Sequence, residues 1–174
     1  MLVGSEYGSA VLFPVADALL ARGCRVDFVL GATGAERVFG AMRARRMAET
    51  TTLTTEDGSL GVRGKVTDAL PAVIADTRAD VVYACAPMET LRAVTAVAME
   101  FDIPVQVAVE ESMACGIGVC MTCVLPVIGD DGATRMVRAC AEGPVFRGRV
   151  RFEDVGTIPF DALGAPGGGA RHVS

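Results

Sequence analysis

Three cysteines crowd into nine residues, CGIGVCMTC at positions 115–123, and a fourth, Cys140, follows beyond the next sixteen. No regular helix or strand places thiols at C-x4-C-x2-C spacing on one point, so this stretch must be a loop shaped around something. The first three cysteines match the plant-type [2Fe–2S] pattern, which then needs one more distant cysteine. Two irons require four thiolates, and the loop must turn its backbone N–H groups toward the sulfurs. Gly116 and Gly118 supply the positive φ angles and close approach that such a loop demands. Structural zinc also takes four thiolates, but commonly as two separated C-x2-4-C pairs. Zinc, and a reactive or disulfide-forming set, remain the alternatives.

The rest of the chain narrows the setting. No basic start precedes the first apolar run, which carries Glu6, Pro14 and Asp17, so MLVGSEYGSAVLFPVADALLARG does not read as a secretion signal. No stretch approaches the roughly 20 apolar residues of a membrane span. The expectation is a cytoplasmic protein, where clustered cysteines bind metal more often than they form disulfides. A net charge of -5 and aromatic content of 5% argue against a phosphate-binding footprint or a base-stacking surface, so no nucleic-acid partner is expected. The single histidine, His172, lies in the Gly-rich tail, which removes the usual Ser/His/Asp and Cys/His nucleophilic sites. No catalytic residue is assigned.

Residues 1–109 alternate strand and helix patterns. LV leads through a glycine-containing turn into a helix over 9–22; RVDFVLGA, TTLTT, DVVYAC and PVQVAV read as strands; AERVFGAMRARR, KVTDALPAVIADT and METLRAVTAVAMEF read as helices, the second bent at Pro71. Arg43, Arg45 and Arg46 read as a solvated helix terminus. This alternation predicts an α/β domain with a parallel sheet and right-handed crossovers. Residues 110–160 form a second, β-rich module in which CVLPVIGDDGATRMVRAC makes two strands about a GDDG turn, with Asp130 and Asp131 as turn formers. Residues 161–174 read as a flexible tail. Cys24 is expected to be a small buried hydrophobe, whereas Cys85, at the carboxyl end of a strand, fits a core or a site position equally. Glu110 and Glu111, just before the cysteine loop, read as the charged rim of a docking surface. The Gly4/Gly8 turn is either a plain strand–helix connection or a pyrophosphate seat at a helix N-terminus.

EESMACGIGVCMTCV and RACAEGPVF closely resemble the iron–sulfur module of the electron-transfer subunit of NAD-dependent dihydroorotate dehydrogenase. TTEDGSLGVRGKVTDAL and VVYACAPMETLRAV are similar to the NAD-binding domain of the same subunit, a ferredoxin-reductase-like fold. The resemblance spans roughly residues 1–155. It implies that Cys115, Cys120, Cys123 and Cys140 ligate a [2Fe–2S] cluster relaying electrons between FMN in a catalytic partner subunit and FAD, which reduces NAD. It implies a hetero-oligomer serving pyrimidine biosynthesis, a component not active alone. Gly4 and Gly8 fall on its nucleotide turn, Cys85 and Pro87 on its cysteine-glycine-proline motif, and Asp57 and Gly58 on a DGS loop that otherwise reads as a surface turn. The departures are GSEYG where the family has a glycine run, Thr33 for an arginine, and Ala86 for the motif glycine; they predict weak NAD binding. The family subunit opens with a β-barrel that holds FAD, whereas the first strand here starts at Leu2, so the expectation is that upstream residues are missing or that flavin is supplied elsewhere. Small subunits of other NAD(P)H-linked iron–sulfur flavoproteins, of the bifurcating ferredoxin:NADP reductase or sulfide dehydrogenase type, share this architecture and are the first rivals. A non-catalytic zinc-stabilised binding module is the second.

Overall fold

The computed structural model describes residues 1–147, 149–157 and 161–162, which divide into two compact units, Met1–Glu110 and the part beginning at Glu111. The first unit is a parallel sheet. Its strands are β1 (Leu2–Ser5), β2 (Asp27–Ala32), β3 (Thr50–Thr55), β4 (Val62–Arg63), β5 (Val82–Cys85) and β6 (Val105–Ala108), in the order β4-β3-β2-β1-β5-β6. Helices α1 (Ser9–Leu20), α2 (Ala41–Met47), α3 (Val66–Thr77) and α4 (Met88–Glu100) connect them. The chain starts at the centre, winds outward to β4, then crosses back to β5 beside β1, in register Leu2 with Tyr83 and Gly4 with Cys85. That reversal opens a crevice at the carboxyl edge, the usual ligand seat of such sheets.

Burial explains why these residues form these elements. Every residue of β2 is buried, as expected for a central strand covered on both faces. Leu2, Phe28 and Leu30 pack with Leu12, Phe13 and Ala16 of α1 in the main core cluster, where the rings of Phe13 and Phe28 lie 5.5 Å apart. Val3 and Val29 alternate to the other face and are fully buried there too. Asp27, nearly buried at the start of β2, accepts from the Thr50 hydroxyl at 2.7 Å and pairs with Arg25 at 3.2 Å.

Two expectations, the helix over 35–46 and the burial of Cys24, need correction. The segment 35–46 is not one helix: a short 3₁₀ turn at Ala35–Arg37 ends at Val38, and α2 starts only after Gly40, whose φ is +71°. Gly40 turns its bare side onto the Phe13 ring, leaving no room for a Cβ. Arg43, Arg45 and Arg46 are exposed as expected, and Arg43 also pairs with Asp17 at 2.9 Å and lies 4.9 Å from the Phe13 ring centre. Helix α3 includes Pro71 as expected, and burial of Val66, Leu70 and Ile74 outweighs the one backbone hydrogen bond that proline forfeits. Cys24 is exposed rather than buried: Gly23, at φ +74°, ends α1 in a turn whose Cys24 N–H bonds the Leu19 carbonyl at 3.0 Å, and Val26 takes the core position instead.

The second unit contains an antiparallel hairpin, β7 (Val124–Ile128) with β8 (Thr134–Arg138), followed by a four-residue helix α5 (Ala139–Glu142). In the hairpin turn the Asp131 carboxylate accepts from the Ala133 N–H at 3.1 Å and from Arg135 at 2.7 and 2.8 Å, and the Arg135 guanidinium holds its pKa well below the usual carboxylate range. Leu125 and Ala139 are fully buried. The tail residues 163–174, with His172, lie outside the described residues. No described helix is long and apolar enough to cross a membrane.

Replacing Gly40 by Ala should destabilise the first unit by about 2 kcal/mol, since the new methyl meets both a left-handed backbone and the buried Phe13 ring. Chemical denaturation reads this directly; an unchanged midpoint would show that the ring yields freely.

Candidate metal centre and nucleotide cleft

The cysteine loop occupies residues 115–123, between Glu111 and β7, and its backbone is bent for close wrapping. Gly116 and Gly118 have φ of +68° and +78°, and Met121 is forced to +62°, a conformation that a side-chain-bearing residue rarely adopts. The N–H groups of Val119 and Cys120 both point at the Cys115 sulfur, each at 3.4 Å, and the Cys140 N–H points at Cys123 Sγ, also at 3.4 Å. The four thiols meet in two couples. The Cys120 backbone N–H lies against the Cys115 sulfur, and the Cys140 backbone N–H against the Cys123 sulfur. Cys123 is buried, and β8 and α5 carry Cys140 back to it.

This arrangement suits a two-metal cluster. Among the described residues no three His, Cys, Asp or Glu side chains converge on a single ion. A two-iron cluster does not ask for that, because each iron takes only two protein thiolates. Backbone N–H donors stabilise sulfur anions, which holds the Cys115 thiol down at about 6. The neighbouring Cys123 sulfur, with burial adding to it, raises the pKa of Cys140 instead.

Two supporting residues were not anticipated from the sequence. Arg138 donates to the Gly118 carbonyl at 3.1 Å while its guanidinium pairs with Glu142, so it clamps the cysteine loop to α5. Thr122 places its hydroxyl 3.1 Å from Cys120 Sγ. Arg138 was visible as the first residue of RAC, but nothing in its spacing showed that it reaches back twenty residues.

In the first unit, the carboxyl edge forms a cleft of about 260 Å³ lined by Ser5, Thr33, Lys65 and Pro87, with the carboxylates of Glu6, Glu56 and Glu89. Lys65 is the cleft's cation and lies 3.8 Å from Glu89. Gly4 and Gly8 do not face this space. A Cβ on Gly4 would meet Ser9 Cα at 2.9 Å, so that glycine lets α1 lie close against β1; a Cβ on Gly8 would strike the Cys85 carbonyl and sit 2.7 Å from Glu110 Oε1. Cys85 is buried, and its thiol donates to the Glu110 carboxylate at 3.6 Å, so Glu110 folds back onto the sheet edge. Burial, with Glu110 adding to it, pushes the Cys85 thiol up to about 12. Asp57 and Gly58 form an exposed turn: Gly58 has φ of +77°, and Asp57 spends its carboxylate on the Ser59 N–H and hydroxyl at 2.9 and 2.6 Å. Its pKa is lowered by those Ser59 hydrogen bonds.

Limited alkylation at pH 8 should label exposed Cys24 rapidly and leave Cys85 essentially unlabelled in the folded protein. Peptide mass mapping reads both; equal labelling would contradict the buried, carboxylate-bonded thiol.

Comparison with known proteins places this geometry. Residues 110–150 match the family described as the iron-sulfur cluster binding domain of dihydroorotate dehydrogenase B. The dihydroorotate dehydrogenase B (NAD(+)) electron transfer subunit of Bacillus caldolyticus is 40% identical over 148 residues, covering 84% of this chain and 54% of that protein. The probable counterpart from Methanocaldococcus jannaschii is 30% identical over 166 residues, covering 94% of this chain and 62% of that one. A solved structure of an NADH-dependent reduced ferredoxin-NADP oxidoreductase, studied for flavin-based electron bifurcation, superposes with a TM-score of 0.74 at 32% identity, over 87% of this chain and 53% of that one. The chain thus spans about half the length of the curated relatives it matches first. Its parallel α/β sheet is of the ferredoxin-reductase-like kind, and its cysteine module is an iron–sulfur one. Over most of its length the chain is similar to electron-transfer subunits of NAD-dependent dihydroorotate dehydrogenase B, and its residues 110–150 match that enzyme's iron–sulfur cluster binding domain.

Proposed function

We propose that this chain carries electrons out of a partner dihydroorotate-oxidising flavoprotein that holds FMN, by way of a [2Fe–2S] cluster, toward FAD and NAD, as part of a cytoplasmic hetero-oligomer serving pyrimidine biosynthesis. The observation that carries the reading is a bent loop whose N–H groups address the Cys115 sulfur, together with α5, which brings the Cys140 N–H onto the Cys123 sulfur. Cys115 and Cys120 would hold one iron, and Cys123 and Cys140 the other. A cluster of this kind, when bound, takes up and gives back one electron at a time.

The chain's own residues do the rest. The N–H groups of Val119, Cys120 and Cys140 spread the negative charge of the sulfurs, which sets how readily an electron is accepted. Arg138 holds the loop through the Gly118 carbonyl, keeping those donors aimed. Ile117, Val119 and Met121 turn outward and are 76%, 73% and 55% exposed, an apolar rim on the cysteine loop itself that suits a protein surface docking there. The edge cleft beside Pro87 is the candidate dinucleotide site, and its three carboxylates against Lys65 make pyrophosphate binding weak. FAD would be held by the portion of the family subunit that this chain does not span.

A second reading is favoured by the solved relative: the small subunit of an NADH-dependent ferredoxin-NADP oxidoreductase, with the same module serving a different partner. Native purification decides between them, since the first reading requires an FMN-containing dihydroorotate-oxidising subunit to come down with this chain. Within either reading, Cys120→Ser should abolish the visible cluster absorbance and lower the stability of the second unit, because metal-binding free energy there is also folding free energy. Cys24→Ser should leave both unchanged. Identical behaviour of the two variants would show the ligand assignment to be wrong.

A further inference from the structure

The turn from β1 into α1 is unlike a phosphate cradle. Such a turn uses glycines to bring backbone N–H groups against the ligand. Here Gly4 and Gly8 direct their bare sides at Ser9, Cys85 and Glu110 of the chain itself. The crest is Glu6, held at φ +48°, and Tyr7, which is 88% exposed. A phosphate lowered onto this crest meets a carboxylate and a phenol.

Tyr7 is one wall of a second cavity, about 350 Å³, whose other walls include Glu36, Arg37 and Phe39. Phe39 is half exposed and set edge-on against the buried Phe13 ring, 6.0 Å between centres, so it is a fixed aromatic wall. Its position depends on the break at Gly40, which turns the chain before α2 begins. Glu6 lines both this cavity and the edge cleft, making the two neighbours at that residue. Arg37, 3.8 Å from Glu6, is the cation of the second cavity.

Two aromatic side chains, a guanidinium and two carboxylates in the lining, and a volume of this size suit a flat heteroaromatic ring bearing a hydroxylated sugar. Resting on the reading of the sheet edge as a dinucleotide site, the geometry points to the Tyr7–Phe39 slot as the seat of the adenosine end, with the pyrophosphate passing outside the turn. Base stacking on the two rings anchors the ligand, because every base presents a π-face to an aromatic wall. Glu36 accepts from the ribose hydroxyls. The phosphates add little, since Glu6 and Glu36 offset Arg37. In a glycine cradle, by contrast, phosphates dominate and affinity climbs with each one added.

Calorimetric titration of the full chain, purified without oxygen, with adenosine, adenosine 5′-monophosphate and ADP-ribose tests this. The slot predicts that the first two bind within about threefold of each other, that Tyr7→Ala weakens both about tenfold, and that Tyr7→Phe restores them. Tyr7 is a surface residue, so its loss leaves folding intact, and circular dichroism confirms that. If Tyr7→Ala leaves binding unchanged while Glu6→Gly tightens ADP-ribose severalfold, the pyrophosphate sits in the turn: the slot is overturned and the dinucleotide site stands. If none of the three ligands binds a chain that carries its iron, the slot and the dinucleotide site both fall, and the electron relay stands.

Discussion

Four cysteine sulfurs brought close together repel each other once ionised, and the unit beyond Glu110 is organised to contain that repulsion. Three backbone N–H groups are spent on sulfur rather than on secondary structure, and Met121 accepts a left-handed backbone to keep the loop tight. The hairpin of β7 and β8 exists largely to bring Cys140 back to Cys123, and Arg138 ties the returning strand to the loop it must face. The loop's N–H groups hold the Cys115 thiol down at about 6, while the Cys123 sulfur beside Cys140 pushes that thiol up. A bound metal turns this repulsion into bonding, which is how a unit with so few large buried side chains can hold together.

The sheet unit answers a different constraint. A parallel sheet whose chain starts at the centre must leave an open edge where β1 and β5 diverge, and the connections after β1, β2, β3 and β5 all contribute to the cleft there. What stands at that edge has drifted from phosphate chemistry. Glycines are used for close packing of α1, carboxylates outnumber cations, and an exposed tyrosine sits on the crest. The Cys85–Glu110 hydrogen bond closes the floor of the first turn by joining the end of β5 to the last residue of the sheet unit.

Much of this was readable in the sequence, for physical reasons that differ from place to place. Buried parallel strands announce themselves as apolar runs, so β1, β2, β5 and β6 were legible, and cysteine spacing alone pointed to a cluster loop. Helix periodicity misled over 35–46 because AERVFGAMRARR keeps its apolar rhythm across Gly40, while the demand of the Phe13 ring for space breaks the backbone there. Cys24 looked like core because it precedes a strand, but the turn at Gly23 delays burial by two residues. The two-residue β4 and four-residue α5 are too short to leave a periodic signal. Contacts between distant residues, Cys85 with Glu110 or Arg138 with Gly118, have no local signature at all.

An electron-carrying centre of iron and sulfide held by the four cysteines has a direct chemical signature. Metal and acid-labile sulfide analysis of the chain purified without oxygen tests it most directly. About two irons and two sulfides per chain are expected, with a visible absorbance that bleaches on addition of one electron. One zinc per chain with no labile sulfide would contradict it.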